Sequence, residues 1–270
     1  MTRIAVTIAG SDSGGAAGLQ GDLKTFSALG VYGASVVTAL TAQSTAGVAA
    51  IHDVPADFVA AQMDAVFSDL GVGAVKIGML SRPATIEAVA AGLVRWRQTN
   101  VVLDPVMVAS SGERLLAADA VDVLKRVLIP HALVLTPNLP EAAALLGGPL
   151  AQTPAEMLAQ ARALIGLGAK AVVIKGGHAA GPASVDVLVD RNAVVELPLA
   201  RIASRNTHGT GCAFSAAIAA GLASGLGVEA ATRSAKAYVH AAIAAADTLK
   251  IGSGPGPVHH FHAVWPRPQR

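Results

Sequence analysis

The sequence predicts an α/β fold built on a central, mostly parallel sheet covered by helices on both faces. Two observations carry that expectation. Apolar runs of strand length alternate with segments of helical period along the whole chain. Most of those runs are apolar throughout rather than at every second residue, as strands are when both faces of their sheet are covered. A chain of 270 residues fits a single domain of this kind (residues 1–270), and no linker-like stretch divides it.

The elements follow in order. A strand is expected over residues 3–9. A helix over 18–29 rests on Leu19, Leu23, Phe26 and Leu29, spaced at three and four residues. Strands are expected over 35–40 and 48–54. Pro55 then opens a helix, a position that proline favours, with Phe58, Val59, Met63, Val66 and Phe67 as its apolar positions. Next come a strand over 74–79, a helix over 83–97, and a buried strand over 101–104 that stops abruptly on Asp104-Pro105. Residues 118–128 read as helical, 132–136 as a strand ending on Pro137-Asn138, and 141–146 and 154–167 as helices. A strand over 171–175 runs into Gly176-Gly177. Two strands over 184–189 and 193–197, joined by Asp190-Arg191-Asn192, alternate like an antiparallel pair. Helices over 211–222 and 229–249 close the fold.

Composition removes several functions. Apolar residues at 53 % supply a sizeable core, and charged residues at 14 % are too few for a disordered chain. A net charge of +2 without a Lys/Arg cluster leaves nucleic acid no electrostatic footprint. The lone cysteine, Cys212, excludes an intrachain disulfide and a multi-cysteine zinc site. Residues 1–3 pass directly into a strand, so no signal peptide is expected. The most membrane-like stretch, 212–226, is mostly Ala and Gly and shorter than a span requires. A cytoplasmic protein with no membrane partner is the expectation.

In an open α/β sheet, ligands bind beyond the carboxyl ends of the strands. Here those ends run into Gly10-Ser11-Asp12, Thr41-Ala42-Gln43, Lys76-Ile77-Gly78-Met79, Asp104-Pro105, Pro137-Asn138 and Lys175-Gly176-Gly177-His178. Amides, carboxylates and lysines gathered there in a charge-poor chain mark a site. The strongest local signal is Asn206-Thr207-His208-Gly209-Thr210-Gly211-Cys212, directly before a helix. Glycines let backbone N–H groups approach an anion, and a helix N-terminus favours negative charge. No Gly-Lys pair exists, so there is no Walker A loop, and no G-x-G-x-x-G exists, which disfavours a nicotinamide dehydrogenase.

These blocks carry a resemblance. Ala9-Gly10-Ser11-Asp12, Gly18-Leu19-Gln20-Gly21-Asp22, Ala39-Leu40-Thr41-Ala42-Gln43, Lys76-Ile77-Gly78-Met79-Leu80, Thr136-Pro137-Asn138-Leu139-Pro140-Glu141 and the Asn206–Cys212 run resemble the bacterial hydroxymethylpyrimidine/phosphomethylpyrimidine kinases of thiamine biosynthesis. The tail Gly256-Pro257-Val258-His259-His260-Phe261-His262 matches as well, so the resemblance covers the chain end to end. It departs in the first loop, where Gly14 and Ala16 stand in place of the family's usual serine and glycine. The resemblance implies a ribokinase-like three-layer α/β/α sandwich. It also implies ATP-dependent phosphorylation of 4-amino-5-hydroxymethyl-2-methylpyrimidine, then of its monophosphate, with Mg²⁺ and in a homodimer.

The same resemblance implies roles. Gln43 reads the pyrimidine, since a primary amide offers the donor and acceptor that match an aminopyrimidine edge. Met79 and Val106 pack on the ring faces, and Gly10, Asp12 and Ala17 complete the substrate loop. Asn138, Lys175, Thr207 and Lys236 serve the nucleotide. Asp104 and Glu141 hold Mg²⁺, as phosphoryl transfer requires. The N–H groups from Gly209 through Gly211 to Cys212 form an anion hole. Cys212 stands where many relatives carry an aspartate base, and a thiol at a helix start is expected to ionise more easily than a free one. His259, His260 and His262 are read as structural. Two rivals remain: a pyridoxal kinase of the same superfamily, and a silent pyrimidine-binding protein, against which Cys212, Asp104 and Glu141 argue.

Overall fold

A computed structural model describes all residues except 1, 109–111, 113–114, 118, 180 and 267–270. The order is β1 (Ile4–Ala9), α1 (Gly18–Ala28), β2 (Tyr32–Val37), β3 (Ala39–Ser44), β4 (Gly47–Asp53), α2 (Ala56–Phe67), β5 (Ala74–Ile77), α3 (Pro83–Arg95), β6 (Val101–Leu103) and α4 (Ala120–Val123). There follow β7 (Val134–Leu135), α5 (Leu139–Leu146), α6 (Pro154–Ile165), β8 (Ala171–Ile174), β9 (Ala183–Asp190), β10 (Val194–Ala200), α7 (Thr210–Ala223) and α8 (Val228–Ala244).

Eight strands form the central sheet in the order β10-β9-β8-β7-β6-β5-β1-β2. Pairing is parallel from β2 through β8 and antiparallel at β8–β9 and β9–β10. Strand residues alternate between two cores. Val6, Ile8, Val75, Leu103, Val172 and Ile174 pack with α2, α3, α5 and α6. Ala5, Ala74, Val102, Val134 and Val173 pack with α1, α7 and α8 on the opposite face. That is the three-layer arrangement expected, and it explains why the strands are apolar on both sides.

Helix α7 is buried nearly all round, from Ala213 to Leu222. A helix without a polar face belongs in the interior, and here α1 and α8 flank it. At Gly221 an added Cβ would lie 2.9 Å from Ala231 Cβ, so glycine sets how closely α7 and α8 approach.

Five expectations need correction. The strand over 35–40 is two strands: β2 ends at Val37, and β3 starts at Ala39. The chain leaves the central sheet at Thr38, where no Gly or Pro marks the break. The strand over 48–54 is β4, which pairs antiparallel with β3 in a separate two-stranded ribbon. Phe58 is not a core position of α2, being 60 % exposed, because Val59, Met63 and Phe67 already fill the buried side. The helix over 118–128 starts outside the described residues. Only Ala120–Val123 is α-helical, and a π-helical turn over Leu124–Leu128 and a 3₁₀ turn over Ile129–His131 follow. The last helix likewise stops at Ala244, with a 3₁₀ turn over Ala246–Thr248.

Candidate active site

The carboxyl ends of the parallel strands, the β3 strand of the ribbon and the start of α7 enclose one cleft of about 720 Å³. Every residue given a catalytic, substrate, nucleotide or metal role in the sequence lines it. Gly10, Asp12, Ala17, Gln43, Met79 and Val106 lie there with Asp104, Asn138, Glu141, Lys175 and Lys236, and with Thr207, Gly209, Gly211 and Cys212.

The loop after β1 is wound around one carboxylate. Asp12 Oδ1 accepts from Gly14 N–H at 2.8 Å, and Oδ2 accepts from Ala16 N–H at 3.0 Å and Ala17 N–H at 2.8 Å. His208 Nε2 lies 3.2 Å from the same Oδ2. Burial opposes the charge on Asp12, but His208 and the N–H groups of Ala17 and Gly14 outweigh it and hold its carboxyl below the usual range. The departures at Gly14 and Ala16 therefore keep the feature that orders the loop, since backbone N–H groups make these contacts. Above the loop, the side-chain amide of Gln43 lies 3.1 Å from Thr41 Oγ1 and 3.3 Å from His208 Nε2.

At the start of α7, Gly209 has φ +83°. A Cβ there would come within 2.0 Å of the Ala16 carbonyl oxygen, so only glycine lets this turn press against the Asp12 loop. Thr210 N–H donates to the Thr207 carbonyl at 3.2 Å. Cys212 is half-buried in the first turn. Burial pushes its thiol up to about 11, against the opposing pull of Lys76. The expected easy ionisation is thus overturned: desolvation of the thiolate outweighs the helix start and the nearby ammonium.

Beneath this turn lies a buried pair that carried no role in the sequence reading. Lys76 Nζ donates to Asp22 Oδ2 at 2.7 Å with both side chains fully buried, and Thr7 Oγ1 donates to the same oxygen at 2.6 Å. Burial works against the Lys76 charge, but Asp22, Cys212 and Asp104 hold its ammonium above the usual range. A lysine inside the apolar strand 74–77 was the available signal, because such a residue is buried only when paired.

A second charge cluster stands across the cleft. Lys175 Nζ donates to Asp104 Oδ1 at 2.6 Å and lies 3.8 Å from Glu141 Oε2. Ser215 Oγ donates to Asp104 Oδ2 at 3.2 Å. Asn138 and Glu141 form a reciprocal cap on α5: Glu141 N–H donates to Asn138 Oδ1 at 2.8 Å, and Asn138 N–H donates to Glu141 Oε2 at 2.7 Å. Burial raises the Glu141 carboxyl to about 7, with Lys175 opposing and Asp104 adding to the rise. Two carboxylates beside one ammonium leave an excess of acceptor oxygens. Hard oxygen donors few in number suit Mg²⁺, which keeps waters and takes phosphate oxygens as further ligands.

At the far end, Lys236 Nζ donates to Asp186 Oδ2 at 2.8 Å and lies 3.3 Å from Ser184 Oγ, while Gly176 N–H donates to Asp186 Oδ1 at 2.8 Å. Arg201 fixes the neighbouring loop by donating to the carbonyls of Gly177 at 2.8 Å and Ala179 at 2.6 Å. Sequence reading missed Arg201 and Asp186, which sit in an edge hairpin without a motif. The three tail histidines lie outside the cleft, and two of them pack against rings: His259 on Trp265 and His262 on Tyr238.

A mostly parallel sheet between two helical layers, opening onto a glycine-rich helix start, is the architecture of the ribokinase-like kinases. The chain belongs to the phosphomethylpyrimidine kinase family, whose model matches residues 12–259. The hydroxymethylpyrimidine/phosphomethylpyrimidine kinase of Rhizobium meliloti is 61 % identical over 265 residues, 98 % of this chain and 99 % of that one. A crystal structure of the phosphomethylpyrimidine kinase of Clostridium difficile, 41 % identical, superposes with TM-score 0.79 over 89 % of this chain and 99 % of its own. An ADP complex of Bacillus subtilis pyridoxal kinase, 36 % identical, superposes with TM-score 0.88 over 97 % of this chain and 99 % of its own. The family, fold and kinase activity that the sequence motifs imply are borne out.

Proposed function

We propose that this chain transfers the γ-phosphoryl group of ATP to the hydroxymethyl group of 4-amino-5-hydroxymethyl-2-methylpyrimidine, and then a second phosphoryl group to the resulting monophosphate. The observation that carries this reading is that Gln43, able to read an aminopyrimidine edge, shares one cleft with the Gly209–Cys212 turn and the Asp104–Glu141–Lys175 cluster. The 61 % identity to a kinase named for these two substrates, against 36 % to a pyridoxal kinase, favours the pyrimidine.

Phosphoryl transfer asks a protein mainly for positioning and charge stabilisation. Gln43 would hold the ring edge, with Met79 and Val106 against its faces and Gly10, Asp12 and Ala17 closing the loop. The Thr210 N–H is spent on Thr207, so Gly209, Gly211 and Cys212 are the backbone donors left for the anion. Lys175 would leave Asp104 for the transferring phosphate, and Asn138, Thr207 and Lys236 would bind the nucleotide. Asp104 and Glu141 would hold Mg²⁺, which when bound neutralises phosphate charge. Cys212 is protonated at neutral pH, so only its minor thiolate form would take the hydroxyl proton. The second step needs no base, because its acceptor is already an anion.

The whole chain would act as one kinase domain in the cytoplasm, where ATP is supplied. A homodimer would cover the outer face of the β3–β4 ribbon, where Leu40 is 50 % exposed beside exposed Ala42. Initial rates of ATP consumption with the hydroxymethylpyrimidine and with pyridoxal test the reading. The pyrimidine should be the better substrate, and a preference for pyridoxal would overturn it.

A further inference from the structure

The hydrogen bonds around Gln43 admit one consistent placement of protons. Asp12 accepts three backbone N–H groups, so it is an ionised acceptor. His208 Nε2, 3.2 Å from Asp12 Oδ2, therefore carries a hydrogen and donates it. A nitrogen bearing hydrogen cannot accept, so the amide atom of Gln43 that faces it must be the oxygen. Thr41 gives the same answer independently. Its hydroxyl has one hydrogen, which goes to the Ser11 carbonyl at 2.8 Å. Towards Gln43 it can only accept, so the amide atom there must be the nitrogen. With Nε2 turned to His208 at 3.3 Å and Oε1 to Thr41 at 3.1 Å, two donors would face each other and Thr41 would need a second hydrogen. Exchanging the two ends removes both conflicts: the single Nε2–H of His208 is shared between Asp12 Oδ2 and the Gln43 oxygen, and Thr41 Oγ1 accepts from the Gln43 nitrogen.

We propose that Thr41 on one side and the His208–Asp12 pair on the other are specificity-determining residues that lock the polarity of the Gln43 amide, oxygen towards His208 and nitrogen towards Thr41. Their role rests on the aminopyrimidine reading above. Thr41 and His208 use the lateral hydrogen and lone pair of the amide, which leaves its outer edge, one N–H beside one carbonyl lone pair, for the ligand. An aminopyrimidine bound to that edge places its amino group on the oxygen side, towards His208, and its ring nitrogen on the Thr41 side. The hydroxymethyl group is attached next to the amino-bearing carbon. It then lies beyond the amino group, towards the Gly209–Cys212 turn that follows His208. The opposite polarity would turn the methyl-bearing carbon to that turn and the hydroxyl away from it. Locking the amide thus selects the ring edge and also aims the reacting oxygen.

The test uses a substrate pair with reversed edges: the hydroxymethylpyrimidine and its 4-oxo analogue, which presents a ring N–H and a carbonyl. The wild-type protein should prefer the amino compound by on the order of 10²-fold or more in kcat/KM, because a mismatched edge leaves buried polar groups unpaired. Thr41→Val and His208→Leu should each cut that preference about tenfold or more, by letting the amide turn and raising turnover of the oxo compound. His208→Gln, which can restore an N–H in the place of Nε2–H, should keep the preference. An unchanged preference in both disabling variants, or a wild-type protein indifferent to the two edges, would overturn the lock. Should either variant fail to fold, nuclear Overhauser contacts in wild-type protein carrying ¹⁵N-glutamine decide. Contacts from the Gln43 amide protons to the Thr41 methyl support the lock, and contacts to the His208 ring instead defeat it. Absence of turnover with the amino compound would count against the proposed substrate, while the Overhauser contacts would still report the amide polarity.

Discussion

Lys175 and Asp104 meet at 2.6 Å, Nζ to Oδ1, at the carboxyl edge of the sheet, and Glu141 lies 3.8 Å from the same ammonium. One cation thus serves two carboxylates in the protein alone. Glu141→Gln removes one of the two charges while keeping the shape of the α5 cap. The magnesium titration of activity should move to higher concentration, by about tenfold, the scale of a lost metal-site contact. An unchanged magnesium curve with normal activity would remove Glu141 from the metal site.

Gln43→Ala should raise the KM for the pyrimidine far more than that for ATP. Losing a paired amide contact costs about 1–3 kcal/mol, roughly 5- to 150-fold in affinity. Initial-rate kinetics with each substrate varied in turn provide the check. Equal effects on both would place Gln43 outside the pyrimidine pocket.

Cys212 sits in the first turn of α7 with its thiol raised to about 11 by burial. It is the sole cysteine, so labelling reports on it unambiguously. Alkylation by a thiol reagent should be slow at neutral pH, speed up as pH rises towards 11, and be shielded by the pyrimidine. Cys212→Ala should slow the first phosphorylation by about 10²-fold, the low end for a general base, and the second by less. Matching losses in single-turnover rates of the two steps would defeat the base role and leave Cys212 as a packing residue.

His260 is buried, and the Tyr238 hydroxyl donates to its backbone carbonyl at 2.8 Å. Burial holds its imidazole neutral and lowers its pKa to about 4, with Lys24 and His259 adding to the effect. The unfolded chain binds this proton near 6.5 and the folded chain near 4. The stabilising contribution is therefore present above pH 6.5 and drains away as pH falls towards 4. A shift of this size corresponds to on the order of 3 kcal/mol. His260→Phe should flatten the fall in denaturation midpoint between those pH values. An equally steep fall in the variant would assign the acid sensitivity to other groups.

Much of the architecture was legible because both faces of the central strands are covered, so apolar runs such as 101–103 and 171–174 stand out. The break at Thr38 was not, because β2 and β3 differ in partner rather than in residue type. The π turn at Leu124–Leu128 was hidden for a similar reason: its apolar spacing fits a regular helix. At the site, strand-end positions, the glycine-rich helix start and the family resemblance together gathered Gln43, Asp104, Glu141, Lys175 and Cys212 into one cleft. The cap between Asn138 and Glu141 had a readable signal, an Asn with Glu three residues later. The ionisation of Cys212 had none, since burial of the thiol depends on how α7 settles over Lys76 and Asp22.

The most direct measurement follows the products formed when the purified protein is mixed with 4-amino-5-hydroxymethyl-2-methylpyrimidine, ATP and Mg²⁺. Mass spectrometry at successive times should show a gain of one phosphoryl group and then of a second, with the monophosphate rising before the diphosphate. ATP hydrolysis without any phosphorylated pyrimidine, or recovery of the alcohol unchanged, would contradict the account.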